Sequence, residues 1–146
     1  MKRILVALDR SPRATYVLQR AAAMATASNA ELFLLRAVGL PPELPQDAFR
    51  TSPTELVEVW RQAAAADLER MEGSIEPTLV THVLVHVGTP WSAICDSARQ
   101  HEVDLIVIGS HGYGALDHLL GTTAAKVVNH ADRSVLIVRE TPPRKA

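Results

Sequence analysis

The chain has 146 residues, of which 47% are hydrophobic, so it is long and apolar enough to bury a core as a globular protein. Its 15 basic and 16 acidic residues nearly cancel, which gives no support for nucleic acid as an obligatory partner. No uninterrupted apolar run approaches the ~20 residues of a membrane span, so no membrane partner is expected. The single cysteine, Cys95, excludes an internal disulfide and is interpreted as a buried structural thiol.

The amino-terminal segment MKRILVALDRSP places its charges as a signal peptide does. Its apolar run from Ile4 to Leu8 is too short for a signal core, and Asp9 ends it. We therefore expect a cytoplasmic protein.

The beginning of the chain predicts a strand, a helix and a second strand. The apolar run of residues 3–8 is typical of a strand that is buried on both faces. Ser11 then offers an N-cap and Pro12 suits the first helical position, so a helix is expected from there to about Ser28. Glu31–Val38 is predicted to form a second apolar strand. This order indicates a βαβ unit with parallel strands and a right-handed crossover.

The middle of the chain predicts a long loop, a second helix and a third strand. Gly39–Ser52 is rich in proline and has little hydrophobic pattern, so a functional lid and a plain surface excursion are both open interpretations. Ser52 and Glu55 form a capping-box pattern, which starts a helix ending near Gly73. Thr78–Val87 alternates apolar and polar residues only in part, which favours an edge strand.

The last part of the chain continues this alternation. Thr89 and Pro90 start a third helix, again as a capping residue followed by proline. The remaining elements are a strand at Asp104–Ile108, a glycine-rich stretch, a helix from about Thr122 to His130 and a strand at Ser134–Arg139.

The alternation predicts an α/β fold in which a five-stranded parallel sheet carries helices on both faces. If the first half winds outward from strand one and the second half starts on its other side, the strand order is 3-2-1-4-5. No linker or shift in composition divides the chain. We therefore expect a single domain over residues 1–141, followed by a frayed tail at residues 142–146.

In doubly wound sheets a ligand binds beyond the carboxyl ends of the strands, where the winding reverses. Here that point lies between strand one, which ends at Asp9, and strand four, which leads into the glycine-rich stretch Gly109–Val128. Glycines let backbone amides approach a ligand closely, and a helix starting at Thr122 adds unpaired N–H donors and a positive dipole end. The sequence therefore predicts a phosphate-binding, nucleotide-like site.

Several polar residues have more than one interpretation. Asp9 could accept a hydrogen bond from a ribose hydroxyl or hold a divalent cation beside phosphates, but it could equally cap the first helix. His111 could be catalytic or an exposed loop residue. His82 and His86 share one face of the third strand and could chelate a metal. Without an evident third ligand, a solvated strand face is the favoured interpretation, and no metal site made by the protein alone is predicted.

Four segments of the chain together resemble the universal stress protein family: ILVALDRSP, LFLLRAV, VGTPWSAICDSARQHEVDLIVIGSHG and LLGTTAAKVVNHADRSVLIVR. The resemblance covers essentially the whole chain, and the order and spacing of these segments are specific together. It implies a Rossmann-like fold of the adenine nucleotide alpha hydrolase type and a homodimer that forms through the last strand.

ATP-binding members of that family carry the motif G-x2-G-x9-G-[ST]. Gly109 and Gly112 match the first pair and Gly121-Thr122 matches the end, with a spacer one residue shorter; Gly114 is interpreted as loop flexibility. The shorter spacer resembles a branch of the family that retains nucleotide binding, so ATP binding is favoured. By position, the resemblance implies nucleotide contacts at the following residues: Ala7, Leu8, Asp9, Ser11, Ala37, Ile108, Gly109, His111, Gly112, Gly121, Thr122, Thr123 and Ala124.

The resemblance implies a dimeric stress-response regulator or sensor that binds ATP, with Mg²⁺ or Mn²⁺, and signals to unidentified protein partners. ADP, AMP and a cyclic nucleotide stay open as ligands. Whether the protein is an enzyme is also open, and at most weak ATP hydrolysis is expected, because no general base with an orienting partner is evident. An ATP-dependent ligase is disfavoured because Asp9–Pro12 contains no glycine for a phosphate loop. The alternative is a dimeric interaction module of the same family that binds no nucleotide.

The last strand carries its own indication of dimerisation. Val135, Leu136, Ile137 and Val138 are all apolar, and a last strand lies at a sheet edge. An unprotected apolar edge invites pairing, and a two-fold dimer would cover it. We expect these residues to form the dimer interface.

Overall fold

The computed structural model describes residues 1–39, 53–110 and 119–140. Within these ranges strands and helices alternate as the sequence predicts. The strands are β1 (Arg3–Ala7), β2 (Glu31–Val38), β3 (Thr81–Val87), β4 (Leu105–Gly109) and β5 (Ser134–Val138). The helices are α1 (Ala14–Ser28), α2 (Pro53–Glu72), α3 (Pro90–Gln100) and α4 (Thr122–His130).

These strands form one parallel sheet in the order β3-β2-β1-β4-β5, which confirms the predicted order. Ala7 at the end of β1 pairs with Leu35 of β2 on one side and with Ile108 of β4 on the other. The chain winds from β1 outward to β3 and then returns to β4 on the opposite side of β1. The winding therefore reverses between β1 and β4, and the carboxyl ends of these two strands lie side by side.

The burial of each strand follows its place in the sheet. Leu5 of β1 and Ile106 of β4 are fully buried at the centre. Every residue of β3 is at least partly exposed, which fits the predicted edge strand. Most of β5, at the other edge, is also at most half-buried.

Helices pack on both faces of the sheet, as predicted. On one face α1 and α2 form a core in which Leu18 meets Val6 of β1. On the other face α3 and α4 supply Ile94 and Val127, which pack with Leu5 of β1. Adjacent residues of β1 thus enter opposite cores, because successive side chains of a strand point to opposite faces.

The start of α1 differs from the sequence prediction. Ser11 is not the N-cap, because α1 begins at Ala14 and Arg13 occupies the capping position. Asp9 Oδ1 accepts the Ser11 N–H at 2.9 Å, and the Ser11 carbonyl accepts the Ala14 N–H at 3.1 Å. The Asp9 carboxylate therefore caps a turn that precedes α1, and this turn delays the first helical residue.

Other boundaries are closer to the prediction. Strand β3 begins at Thr81 and not at Thr78, because the Leu79 N–H donates to the Glu76 carbonyl at 3.1 Å in a turn. Helix α3 begins at Pro90, as expected. Three predictions lie outside the described residues: the loop beyond Gly39, the cap of α2 at Ser52 and the tail at 142–146. In the described ranges no helix is long and apolar enough to cross a membrane.

Candidate functional site

A cleft of about 270 Å³ opens at the carboxyl ends of β1 and β4. Its walls come from the ends of β1, β2 and β4 and from the first turns of α1, α3 and α4. This is the topological switch point of the sheet, where α/β proteins bind ligands. Most of the residues selected from the sequence line it together: Ala7, Leu8, Asp9, Ser11, Ala37, Ile108, Gly109, Gly121, Thr122, Thr123 and Ala124.

The two other selected residues, His111 and Gly112, lie outside the described residues, as does Gly114. The described ends of that segment are joined directly, since the Gly121 N–H donates to the Ser110 carbonyl at 2.7 Å. Ser110 is buried, and its N–H donates to the Val138 carbonyl at 3.0 Å. These bonds fix the start of α4 against the ends of β4 and β5.

The first turn of α4 presents backbone donors to the cleft. The first helical hydrogen bond runs from the Ala125 N–H to the Gly121 carbonyl at 2.9 Å. The N–H groups of Thr122, Thr123 and Ala124 precede it and find no acceptor among the described residues. With the positive end of the helix dipole, these amides form a site that suits an anion such as phosphate.

A buried arginine that is not among the residues selected from the sequence hydrogen-bonds the backbone of the Asp9 segment. Arg36 of β2 is 5% exposed, and its Nε donates to the Leu8 carbonyl at 3.1 Å. Its guanidinium also donates to the Asp9 carbonyl at 2.9 Å and to Asp67 Oδ2 of α2 at 2.6 Å. Arg36 therefore satisfies carbonyls at the point where β1 leaves the sheet, and it ties them to α2.

Asp67 is the counterion of this arginine. Hydrogen bonds from Arg70 and from Arg36 hold the pKa of the Asp67 carboxyl below its usual value. The signal in the sequence was a single arginine inside the apolar strand predicted at Glu31–Val38. A charge buried in this way needs a partner, but the strand itself does not show which residue supplies it.

Gly109 also has a role in packing. From the sequence it is interpreted as a glycine that lets backbone amides approach a ligand closely. In the structure a Cβ at Gly109 would lie 3.2 Å from Val17 Cγ2, so α1 packs directly over the end of β4. The glycine therefore allows close contact between helix and sheet at the floor of the cleft.

Other lining residues were also missed, because they depend on how the helices pack. The cleft is also lined by Arg13, Ala14, Val17, Leu35, Pro90 and Ile94. Pro90 and Ile94 come from α3 and, with Leu35 and Ala37, make the β2 side of the cleft apolar. Arg13 is the basic lining residue in the described part of the chain.

The histidines of β3 make ordinary polar contacts. His82 Nε2 lies 3.1 Å from Glu31 Oε2, and His86 Nδ1 lies 3.1 Å from Ser97 Oγ. The described residues contain no group of three or more potential metal ligands among histidine, cysteine, aspartate and glutamate. Cys95 is buried, as expected, and burial raises the pKa of its thiol.

Comparison with known proteins identifies the family. The model of the universal stress protein family matches residues 1–139. The chain is 32% identical over 139 residues to universal stress protein A homolog 1 of Coxiella burnetii, covering 94% of this chain and 95% of the relative. The chain therefore belongs to the universal stress protein family.

Solved structures share the fold. The universal stress protein UspA from Lactobacillus plantarum is 28% identical, with a TM-score of 0.78 over 94% of this chain and 97% of that one. A universal stress protein in complex with cAMP is 24% identical, with a TM-score of 0.65 over 96% and 98% of the two chains. One from Archaeoglobus fulgidus in complex with dAMP is 19% identical, with a TM-score of 0.62 over 95% and 98%.

Proposed function

We propose that this protein binds an adenine nucleotide, ATP, in the cleft between β1 and β4 and acts as a dimeric stress-response regulator or sensor. The observation that carries the proposal is the first turn of α4. The amides of Thr122, Thr123 and Ala124 find no acceptor among the described residues, and these three residues line the cleft at the strand ends. Such amides at a helix start are suited to phosphate oxygens.

The opposite side of the cleft suits a nucleoside. Leu35, Ala37, Pro90 and Ile94 offer an apolar wall for a base. Asp9 is exposed; its Oδ1 is held by the Ser11 N–H, and a carboxylate in this position could accept from ribose hydroxyls. The family members solved with cAMP and dAMP support an adenosine-phosphate ligand.

A divalent cation would enter with the nucleotide. Asp9 is the carboxylate among the described lining residues, and Mg²⁺ is commonly held by one or two carboxylates together with substrate phosphates. Mg²⁺ or Mn²⁺ would therefore bind as a nucleotide complex beside Asp9. We expect at most weak hydrolysis, because Asp9 is the single carboxylate among the described lining residues and no histidine is found with it there.

The binding proposal is tested by calorimetric titration of nucleotide-free protein with ATP and Mg²⁺. Thr122→Asp places a negative charge among the phosphate-facing amides, where it also favours the helix start, so the fold should persist. We expect it to weaken ATP binding by about tenfold or more through charge repulsion. Thr54→Asp makes the same change in the first turn of α2, outside the cleft, and should leave affinity unchanged.

If the wild-type protein gives no binding at millimolar ATP, the nucleotide proposal fails. The protein would then act as a dimeric interaction module that binds no nucleotide. Equal losses for Thr122→Asp and Thr54→Asp would show that the start of α4 is not the phosphate site.

We propose that the dimer forms along β5. Unidentified protein partners would then recognise the dimer and its bound nucleotide. Strand β5 lies at the sheet edge, and its apolar residues Val135, Leu136 and Ile137 are only partly buried, next to the buried Val138. Ile137→Asp should convert a dimer into a monomer in sedimentation experiments. Val85→Asp, at a half-buried position of the opposite edge strand, is the matched control. A folded Ile137→Asp protein that stays dimeric would place the interface elsewhere.

A further inference from the structure

The cleft contains a basic side chain whose position along the sheet can be read from its ion pair. Arg13 lines the cleft, and its Nε lies 4.0 Å from Glu140 Oε1. Glu140 follows β5, and β5 lies beyond β4 on the side away from β1. The Arg13 side chain therefore extends from the residue that precedes α1 toward the β4–β5 side of the cleft.

That side is where the backbone donors lie. Ser110, at the end of β4, bonds both to Val138 of β5 and to Gly121 at the start of α4. The apolar wall for a base lies on the other side, near β2. Arg13 is thus on the side of the cleft that suits phosphate, and it lies opposite the nucleoside side.

We propose that Arg13 recognises the phosphate chain of the ligand and that Glu140 is its competitor within the protein. An incoming polyphosphate takes over the guanidinium from the Glu140 carboxylate. This inference rests on the proposed nucleotide-binding function and narrows its ligand class to nucleoside di- and triphosphates in preference to monophosphates or nucleosides.

The exchange follows from the chemistry of the groups. The side chains of Arg13 and Glu140 are 31% and 59% exposed, and an ion pair this exposed and this long is weak. A guanidinium can bind a phosphate in a bidentate manner, and a triphosphate brings more charge than one carboxylate. A single phosphate placed at the α4 amides leaves less charge within reach of Arg13, so the preference grows with the length of the phosphate chain.

The test compares ATP, ADP, AMP and adenosine by calorimetry on the wild-type protein and on charge-neutral variants. Arg13→Gln should weaken ATP binding by about tenfold and adenosine binding by less than about twofold. Glu140→Gln should strengthen ATP binding by about two- to fivefold, because the competitor is removed. In the double variant Arg13→Gln with Glu140→Gln this gain should disappear, which measures the coupling of the pair.

Two matched controls separate this role from a general charge effect. Arg10→Gln removes the same charge three residues away, outside the cleft lining, and Glu102→Gln removes an exposed acid that pairs with Arg3 at the other end of the sheet. Both should change ATP affinity by less than about twofold. Equal effects of Arg10→Gln and Arg13→Gln on ATP would overturn the proposal. So would equal losses of ATP and adenosine binding in Arg13→Gln.

The failure of the underlying function has a different signature. If the wild-type protein binds neither adenosine nor ATP, the nucleotide proposal fails, and inorganic tripolyphosphate becomes the deciding ligand. Tripolyphosphate binding that requires Arg13 would support phosphate recognition without a nucleotide. No tripolyphosphate binding in that case would overturn this inference as well.

Discussion

The two ends of the sheet differ in whether their backbone N–H groups have hydrogen-bond acceptors among the described residues. At the amino end the Asp104 carboxylate accepts the N–H groups of Lys2 at 2.7 Å and Arg3 at 2.9 Å. At the carboxyl end the first amides of α4 meet no acceptor in the described part of the chain, and a cleft opens beside them.

One arginine at each end of the sheet donates hydrogen bonds to backbone carbonyls, and the two arginines join different elements. Arg133 at the amino end donates to the Ala98 carbonyl at 2.7 Å and the Val103 carbonyl at 3.0 Å, which joins the end of α3 to the start of β4. At the carboxyl end Arg36 donates to the Leu8 and Asp9 carbonyls that follow β1 and to Asp67 of α2. The first amides of α4 have no such partner among the described residues. We infer that the amino end serves stability, whereas the carboxyl end leaves donors available for the proposed nucleotide.

The largest loss of stability is expected on substitution of Arg36, which both stabilises the fold and supports the cleft. Arg36→Met leaves the Leu8 and Asp9 carbonyls without this donor, and should lower the free energy of unfolding by about 3 kcal/mol. Asp67 keeps Arg70 as a partner, which limits the loss. Urea denaturation measures the change, and Arg20→Met, an exposed position on α1, is the control with an effect within about 0.5 kcal/mol.

The same variant should also weaken ATP binding, because the Asp9 segment loses its support. Arg36→Lys can restore only part of the set of hydrogen bonds, so both stability and affinity should be intermediate. If Arg36→Met folds and binds ATP as the wild type does, Arg36 does not position the cleft.

Arg133 tests whether the amino end is concerned with stability alone. Arg133→Ala leaves the carbonyls of Ala98 and Val103 without their side-chain donor, and should lower the free energy of unfolding by about 2 kcal/mol. ATP affinity at the protein's working temperature should not change. Arg99→Ala, which removes an exposed helix ion pair with Asp96, should cost less than about 0.5 kcal/mol. A loss of ATP affinity in Arg133→Ala would show that the two ends are coupled.

Gly109 tests how tightly the floor of the cleft is packed. Gly109→Ala places a Cβ 3.2 Å from Val17 Cγ2, and this overpacking should cost about 1 kcal/mol in urea denaturation. Gly39→Ala, where nothing lies within 4 Å of the added Cβ, is the matched control. The cost should shrink in a Val17→Ala background. An equal cost in both backgrounds would mean that this contact is not its cause.

The smallest expected effect is on the pH dependence of stability, through the Asp104 carboxylate at the amino end of the sheet. Backbone hydrogen bonds from Lys2 and Arg3 hold the pKa of the Asp104 carboxyl below its usual value of 3.8. A lowered pKa contributes stability above pH 3.8, and this contribution is lost as the pH falls through the lowered value. The stability of Asp104→Asn should therefore fall less steeply below about pH 4 and converge with that of the wild type in acid.

The control for this pH profile is Asp96→Asn, at an exposed position on α3. Part of the acid sensitivity should remain in Asp104→Asn, because the pKa of Asp67 is also lowered by Arg70 and Arg36. Parallel pH profiles for the wild type and Asp104→Asn would contradict the role of the Asp104 carboxylate.

Much of the fold followed from local patterns in the sequence. Apolar runs such as Glu31–Val38 predicted buried strands, and Thr89-Pro90 marked the start of α3. Right-handed crossovers between parallel strands then limited the strand order, so the place of the cleft followed from the order of the elements. For the same reason the sequence predicts that the Asp9 segment faces the glycine-rich stretch that ends at Gly121.

The tertiary structure decided what depends on residues far apart in the chain. The role of Arg36 depends on Asp67 from α2, and Arg13 forms its ion pair with Glu140 beyond β5. The apolar wall formed by Pro90 likewise depends on how α3 packs against the sheet. The sequence determined the strands, the helices and the place of the cleft, because periodicity and chain connectivity act locally. The side chains that support and shape the site were decided by packing between elements, which no single segment encodes.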